Sequence, residues 1–217
     1  MTVRMTEHPD SVEIRWHGRG GQGAVTSAKL LADAAFRSGW TGVTSMPSFG
    51  AERRGAPVTA STRLAREPIR VYAQVTQPDI AIVLDDSLIA VGGATAGLKP
   101  GGTLLVNTVR PVGDLGVSGD IRVVAADVTG AAEAAGVIVG GNPIVSAAIL
   151  GSVAKATGLV TMEAVEQAVR GMFRGAAGDK NAEAARLSYE CTAAPATAAT
   201  VATASAPATA PTEEATR

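Results

Sequence analysis

The hexapeptide Gly18-Arg19-Gly20-Gly21-Gln22-Gly23 has the spacing Gly-x-Gly-x-x-Gly. It stands between a stretch that alternates like a strand and one that repeats like a helix, the context in which that spacing has meaning. Glycines adopt backbone angles closed to other residues and let the main chain approach a ligand. A helix starting just beyond the loop presents unpaired N–H groups and the positive end of its dipole, which together attract an anion. Arg19 adds a charged fork suited to a phosphate or carboxylate. Two roles stay open for the loop: a cradle for an anion or nucleotide moiety, or a turn that packs helix on strand. A dinucleotide site also wants an acidic residue about 20 positions later, for the ribose hydroxyls. The stretch from Thr41 to Ser48 contains none, which argues against ordinary NAD binding.

Glu52-Arg53-Arg54, bracketed by Gly50 and Gly55, is the second candidate. Such a segment can clamp a phosphate, dock a partner, or form local ion pairs in a solvated loop. Asp85-Asp86 closes an apolar run; paired carboxylates can hold a metal, but Asp86 is also placed to cap the next helix. In Gly140-Gly141-Asn142-Pro143, Asn142 reads as a helix N-cap with Pro143 at the first helical position, and a helix start again suits an anion. The binding candidates are therefore Gly18, Arg19, Gly20, Gly21, Gln22, Gly23, Glu52, Arg53, Arg54 and Asn142, with no catalytic and no metal set. His17 reads first as structural, and Cys191 has no histidine nearby that would make it a nucleophile. Cys-x-x-Cys, Gly-x-Ser-x-Gly, His-Glu-x-x-His and P-loop patterns are all missing, so the chain reads as one part of a larger site.

The elements that must position these residues follow from periodicity. Residues 12–17 alternate as a strand, and Ala24–Ser38 carries a helical face of Val25, Ala28, Leu31, Ala32, Ala35 and Phe36, with Gly39 at the C-terminal cap. Residues 40–47 form a second strand. Val58–Leu64 and Ile69–Val75, joined by Ala65-Arg66-Glu67-Pro68, read as a β-hairpin. Ile80–Leu84, Thr103–Val106 and Val123–Ala125 are short apolar runs, expected of strands buried on both faces. Ile144–Thr157 and the stretch after Thr161 read as helices, the latter with Thr161 as N-cap and Val160 and Val165 as a hydrophobic staple. Lys180–Tyr189 is a weaker last helix. The expected fold is one α/β domain, Rossmann-like or flavodoxin-like, with a β-hairpin insertion and a helical C-terminal part. Its bounds are a flexible N-terminus at 1–11, the domain at 12–190, and a disordered Ala/Thr/Pro-rich tail at 191–217.

Composition narrows the functional classes. A net charge of −1 gives no basic surface for nucleic acid. One cysteine rules out an intrachain disulfide and a Cys-only iron–sulfur site. No apolar run is long enough for a membrane span, and the polar residues 1–10 lack a signal-peptide core, so the chain is expected in the cytoplasm. With aromatics at 3% of the chain, Val, Leu, Ile and Ala are expected to fill the core.

Three blocks together resemble one family. Arg15-Trp16-His17-Gly18-Arg19-Gly20-Gly21-Gln22-Gly23-Ala24-Val25, Phe49-Gly50-Ala51-Glu52-Arg53-Arg54-Gly55-Ala56-Pro57-Val58 and Asn142-Pro143-Ile144 look like signatures of the gamma subunit of 2-oxoacid:ferredoxin oxidoreductases, of the pyruvate synthase type. The resemblance spans about residues 12 to 190. It implies a non-catalytic subunit of an enzyme that converts a 2-oxoacid, expected to be pyruvate, plus coenzyme A to acyl-CoA, CO2 and reduced ferredoxin. It further implies thiamine diphosphate, Mg2+ and iron–sulfur clusters carried by alpha and beta subunits and a ferredoxin-like subunit or domain, with ferredoxin as acceptor. The loop at 18–23 and Glu52-Arg53-Arg54 then become candidates for CoA phosphate contact or for subunit docking. The competing expectation is a free-standing nucleotide-binding or regulatory module resting on the glycine loop alone.

Overall fold

The computed structural model describes residues 9–48, 55–70, 73–91, 93–193 and 199–201. The strand alternation begins at β1 (Ser11–Arg19), with Val12, Ile14 and Trp16 buried on one side. Ser11, expected in a flexible N-terminus, already belongs to this strand and pairs with Ala65. Helix α1 (Ala24–Arg37) follows, and Gly39 takes a φ of 92° just past its end, as its place in the sequence requires. The remaining elements are β2 (Gly42–Pro47), β3 (Pro57–Ala65), β4 (Ile80–Val83), α2 (Leu88–Val91), β5 (Gly102–Asn107), β6 (Ile121–Ala126), α3 (Val128–Ala134), β7 (Ile138–Val139), β8 (Asn142–Pro143), α4 (Ile149–Thr157), α5 (Met162–Met172), α6 (Ala176–Cys191) and β9 (Ala199–Val201).

The main sheet runs β2-β3-β1-β4-β5-β6-β9. β1, β4, β5 and β6 are parallel, and β3, β2 and β9 are antiparallel to their neighbours. The fold is thus α/β with a hairpin and a helical C-terminal part. The hairpin, however, is β2–β3. β3 was expected to pair with 69–75, yet β1 occupies one of its edges and β2 the other, so no edge is left for a further strand. Among the described residues of 69–75 none is in a strand.

Alternate residues of the inner strands feed two layers. Ile80, Ile82, Leu105 and Val124 join the larger core under α1, α4, α5 and α6. Ala81, Val83, Leu104, Val106 and Val123 join a smaller cluster, covered by Leu88 of α2, Ala94 and Leu115, with Ile89, Leu98, Val112 and Val117 packed against it. Burial on both faces is why these strands read as unbroken apolar runs. The largest buried side chains include Trp16 and Trp40, so two tryptophans anchor a core otherwise built of aliphatics. Their ring N–H groups donate to Thr62 Oγ1 at 2.9 Å and to the Leu159 carbonyl at 2.8 Å. Phe36, expected on the core face of α1, is 63% exposed.

The C-terminal helices differ in how they begin. Thr161 caps α5 as expected, accepting from Ala164 N–H at 3.1 Å. α4 starts at Ile149, well beyond Asn142, and its first turn has no side-chain cap. The expected tail is also shorter in one respect: Thr192 is buried, donating to Ser152 Oγ at 2.8 Å, and Ala199–Val201 adds an antiparallel strand to β6. The rest of 191–217 beyond Ala193 lies outside the described residues.

Candidate functional site

The chain leaves β1 for β2 and β3 on one side of the sheet, then returns to β4 on the other. The carboxyl ends of β1 and β4 therefore flank a topological switch point, where open α/β sheets form ligand crevices. The glycine loop sits there. Gly21 and Gly23 have φ of 96° and 87°, angles that a side chain disfavours. A Cβ on Gly23 would also stand 2.6 Å from Ser146 Cβ, so this glycine lets α1 pack on the segment leading to α4. Ser27 Oγ joins the two segments, donating to the Ser146 carbonyl at 2.9 Å. Packing and cradle are thus not exclusive: Gly23 has the packing role, while Gly21 is exposed, with no atom of the described residues within 4 Å of its Cβ position.

The loop's own side chains tie it to β4. Gln22 Oε1 accepts from the Arg19 N–H at 2.7 Å, and Gln22 Nε2 donates to Asp85 Oδ2 at 3.0 Å. Arg19 Nε donates to the same Asp85 oxygen at 3.0 Å, while its two terminal nitrogens reach the Gly55 carbonyl and Ser87 Oγ. Burial pushes the Asp85 carboxyl up, but hydrogen bonds from Ser87, Gln22 and Arg19 outweigh it and hold the pKa below the ordinary value. Arg19, read from sequence as a ligand fork, thus already has acceptors within the protein. Gly20 exchanges backbone hydrogen bonds with Ala56 and Gly55, which fastens the end of the segment containing Glu52, Arg53 and Arg54 to the glycine loop. Those three residues themselves lie outside the described residues. Beyond the loop, the N–H groups of Ala24, Val25 and Thr26 have no acceptor among the described residues, and the Gly23 N-cap supplies none. These are the donors that a helix start has to offer an anion.

The other candidates fall elsewhere. Asn142 is on β8, paired with Val139, and its amide donates to the Gly140 carbonyl at 3.1 Å. It caps no helix, because Gly140 and Gly141, with φ of 57° and 79°, make the two-residue turn of a small hairpin. Asp86 does not cap α2. It accepts from Thr108 Oγ1 at 2.7 Å and lies 3.8 Å from Arg110, at the end of β5. Asp85 turns back locally instead, accepting from the Ser87 N–H at 3.1 Å. Cys191 ends α6, its thiol pKa raised by burial and then by Asp127.

Sequence reasoning overlooked two braces of the carboxyl edge. Asp85 bridges β4 to a loop 63 and 66 residues away in sequence, a pairing that no local pattern announces. Asn107 ends β5. Its amide donates to the Leu84 carbonyl at 3.0 Å, and its oxygen accepts from Val128 N–H at 3.0 Å at the start of α3. A polar residue closing an otherwise apolar run was the only signal for it.

Comparison with known proteins bears on the whole arrangement. The family described as pyruvate ferredoxin/flavodoxin oxidoreductase matches residues 13–191. The chain is 48% identical over 186 residues to the pyruvate/ketoisovalerate oxidoreductases common subunit gamma of Thermococcus kodakarensis, covering 83% of this chain and 97% of that one. It is 46% identical over 180 residues to pyruvate synthase subunit PorC of Methanothermobacter marburgensis, covering 82% and 96%. The crystal structure of pyruvate oxidoreductase subunit PORC from Thermotoga maritima superposes with a TM-score of 0.73 at 32% identity, covering 85% of this chain and 98% of that one.

Proposed function

The chain belongs to the pyruvate ferredoxin/flavodoxin oxidoreductase family, as a gamma-type subunit, and from that premise we propose what it contributes to the assembled enzyme. The holoenzyme converts a 2-oxoacid, with pyruvate the expected one, and CoA to acyl-CoA, CO2 and reduced ferredoxin. Thiamine diphosphate with Mg2+ and the iron–sulfur clusters belong to alpha, beta and ferredoxin-like partners. A single cysteine agrees with that division, since a Cys-ligated cluster needs several. The gamma chain supplies no reacting group and is inactive alone; it works in the cytoplasm, binding CoA phosphates and packing the partner subunits.

The observation that carries this reading is the start of α1 at the switch point, whose first N–H groups have no acceptor among the described residues, beside a glycine loop fastened through Gly20 and Gly55 to the segment bearing two arginines. Main-chain N–H groups of Ala24–Thr26, Gly21 and Gly23 would hold phosphate oxygens, with Arg53 and Arg54 adding charge. Arg19 and Gln22 act on that ligand indirectly, by fixing the loop to Asp85. Asn142, on the small hairpin rather than at a helix start, is left out of this proposal.

Co-purification with a tagged gamma chain, followed by CoA kinetics, tests the proposal. Thiamine-binding partners are expected to come down with it. Arg53→Ala combined with Arg54→Ala is expected to raise the KM for CoA while leaving that for the 2-oxoacid unchanged. A chain that recovers no such partner, or a double variant that assembles with an unaltered CoA KM, contradicts it.

A further inference from the structure

A cavity of about 440 Å³ opens on the sheet face away from α1, beneath β1 and β3. Its size lies in the range of small-molecule sites. Arg15, His17, Thr59, Ser61, Gln74 and Thr76 line it. The register sets His17 opposite Thr59 and Arg15 opposite Ser61, so the four side chains share one face of the antiparallel pair.

The lining is rich in donors that lack acceptors. His17 is 4% exposed, and its Nε2 accepts from Arg15 Nε at 3.0 Å. The ring is neutral, since burial and then the Arg15 charge lower its pKa to about 4. A neutral ring that accepts on Nε2 carries its proton on Nδ1. That N–H has no partner among the described residues. Arg15 Nη2 reaches the carbonyls of Ala94 and Ala96, and Nη1 has no partner among the described residues. No carboxylate pairs with Arg15 among the described residues: nearby Glu13 is held by Arg63, and Asp79 by Lys99. The hydroxyls of Thr59, Ser61 and Thr76 and the Gln74 amide make no hydrogen bond within the described protein either. A half-buried cation without a counter-charge is unfavourable, and an anion seated beside it would offset that cost.

We propose that this cavity binds a small organic oxyanion, a carboxylate- or phosphate-bearing molecule, with Arg15 supplying charge and His17 Nδ1–H, Ser61 and Thr59 supplying hydrogen bonds. The site is distinct from the start of α1, which lies on the other face of the sheet, and does not depend on the CoA reading. The chain has two histidines, so the imidazole NMR signals of His17 can be followed with His8 as internal control.

The test titrates the full chain with inorganic phosphate, with acetate, and with neutral acetamide, at constant ionic strength in chloride. A saturable shift of the His17 Nδ1–H signal with phosphate or acetate, and none with acetamide, is expected. The tighter of the two anions identifies the head group. Arg15→Gln is expected to weaken binding by about tenfold or more. Should that variant not fold, Ser61→Ala and Thr59→Val are each expected to weaken it several-fold at unchanged melting temperature. No saturable His17 shift, an equal response to acetamide, or unaltered affinity in folded Arg15→Gln or in both hydroxyl variants overturns the proposal.

Discussion

The Arg19 guanidinium and the Asp85 carboxylate meet at 3.0 Å across the gap between β1 and β4. The same Asp85 oxygen also accepts from Gln22, so one carboxylate anchors both polar side chains of the glycine loop. The loop is therefore set before any ligand arrives, and its main-chain groups need no ordering on binding.

Asp85→Asn is expected to lower stability by about 1–2 kcal/mol, since it removes a charge-assisted acceptor shared by two donors in a partly exposed pair. Because the native Asp85 pKa is depressed, its contribution is present above the unfolded carboxylate range and is lost as pH falls through the native value. Urea unfolding at neutral and acidic pH reads the loss. Backbone relaxation should show faster motion confined to Gly20–Gly23.

Gly23→Ala meets two obstacles, a φ of 87° and a Cβ placed 2.6 Å from Ser146 Cβ. Together they should reduce stability by roughly 2–4 kcal/mol. Ser146→Gly in the same chain removes the collision but not the backbone strain, so about 1–2 kcal/mol of the loss should remain. Full rescue by Ser146→Gly would show that the positive φ is unimportant.

His17 titrates near 6.5 in the unfolded chain but at about 4 when folded. Between those values the unfolded state binds more protons, so stability falls as pH is lowered through that window and is complete above it. The expected difference between pH 7 and pH 5 is about 2 kcal/mol from this residue. Denaturant midpoints at the two pH values measure it, and His17→Gln should flatten the dependence.

Two helical glycines should respond oppositely to alanine. On Gly151 of α4 a Cβ would lie 1.8 Å from the Ala185 carbonyl of α6, so Gly151→Ala should prevent those helices from packing and yield little folded protein. On Gly171 of α5 the nearest atom is Arg37 Nη2 at 3.8 Å, and Gly171→Ala should stabilise by about 0.5–1 kcal/mol. Thermal melts of the two variants suffice.

Capping separates Thr161 from Asn142. Thr161→Ala should lose about 1 kcal/mol because its hydroxyl accepts from Ala164 N–H. Asn142→Ala should change stability by less than about 0.5 kcal/mol, since among the described residues its exposed amide hydrogen-bonds only to the Gly140 carbonyl. Equal losses in chemical denaturation would restore Asn142 as a helix cap.

What the sequence by itself determined is whatever one segment decides within itself. Gly39 past α1, Thr161 before α5, the apolar runs of β4, β5 and β6 and the glycine spacing at 18–23 are local matters of backbone angle, capping and burial. Which strand pairs with which is not local. β3 has the same alternation whether its partner is 69–75 or β1 and β2, and only the occupied edges of the assembled sheet exclude the former. The tertiary structure likewise decided that Phe36 faces solvent, that Asn142 belongs to a hairpin, and that Asp85 holds Arg19 from 66 residues away. It also set Arg15 and His17 against Thr59 and Ser61 around one cavity. A strand pattern names a buried face but carries no address for its partner; that choice comes from the free energy of burying all the faces together.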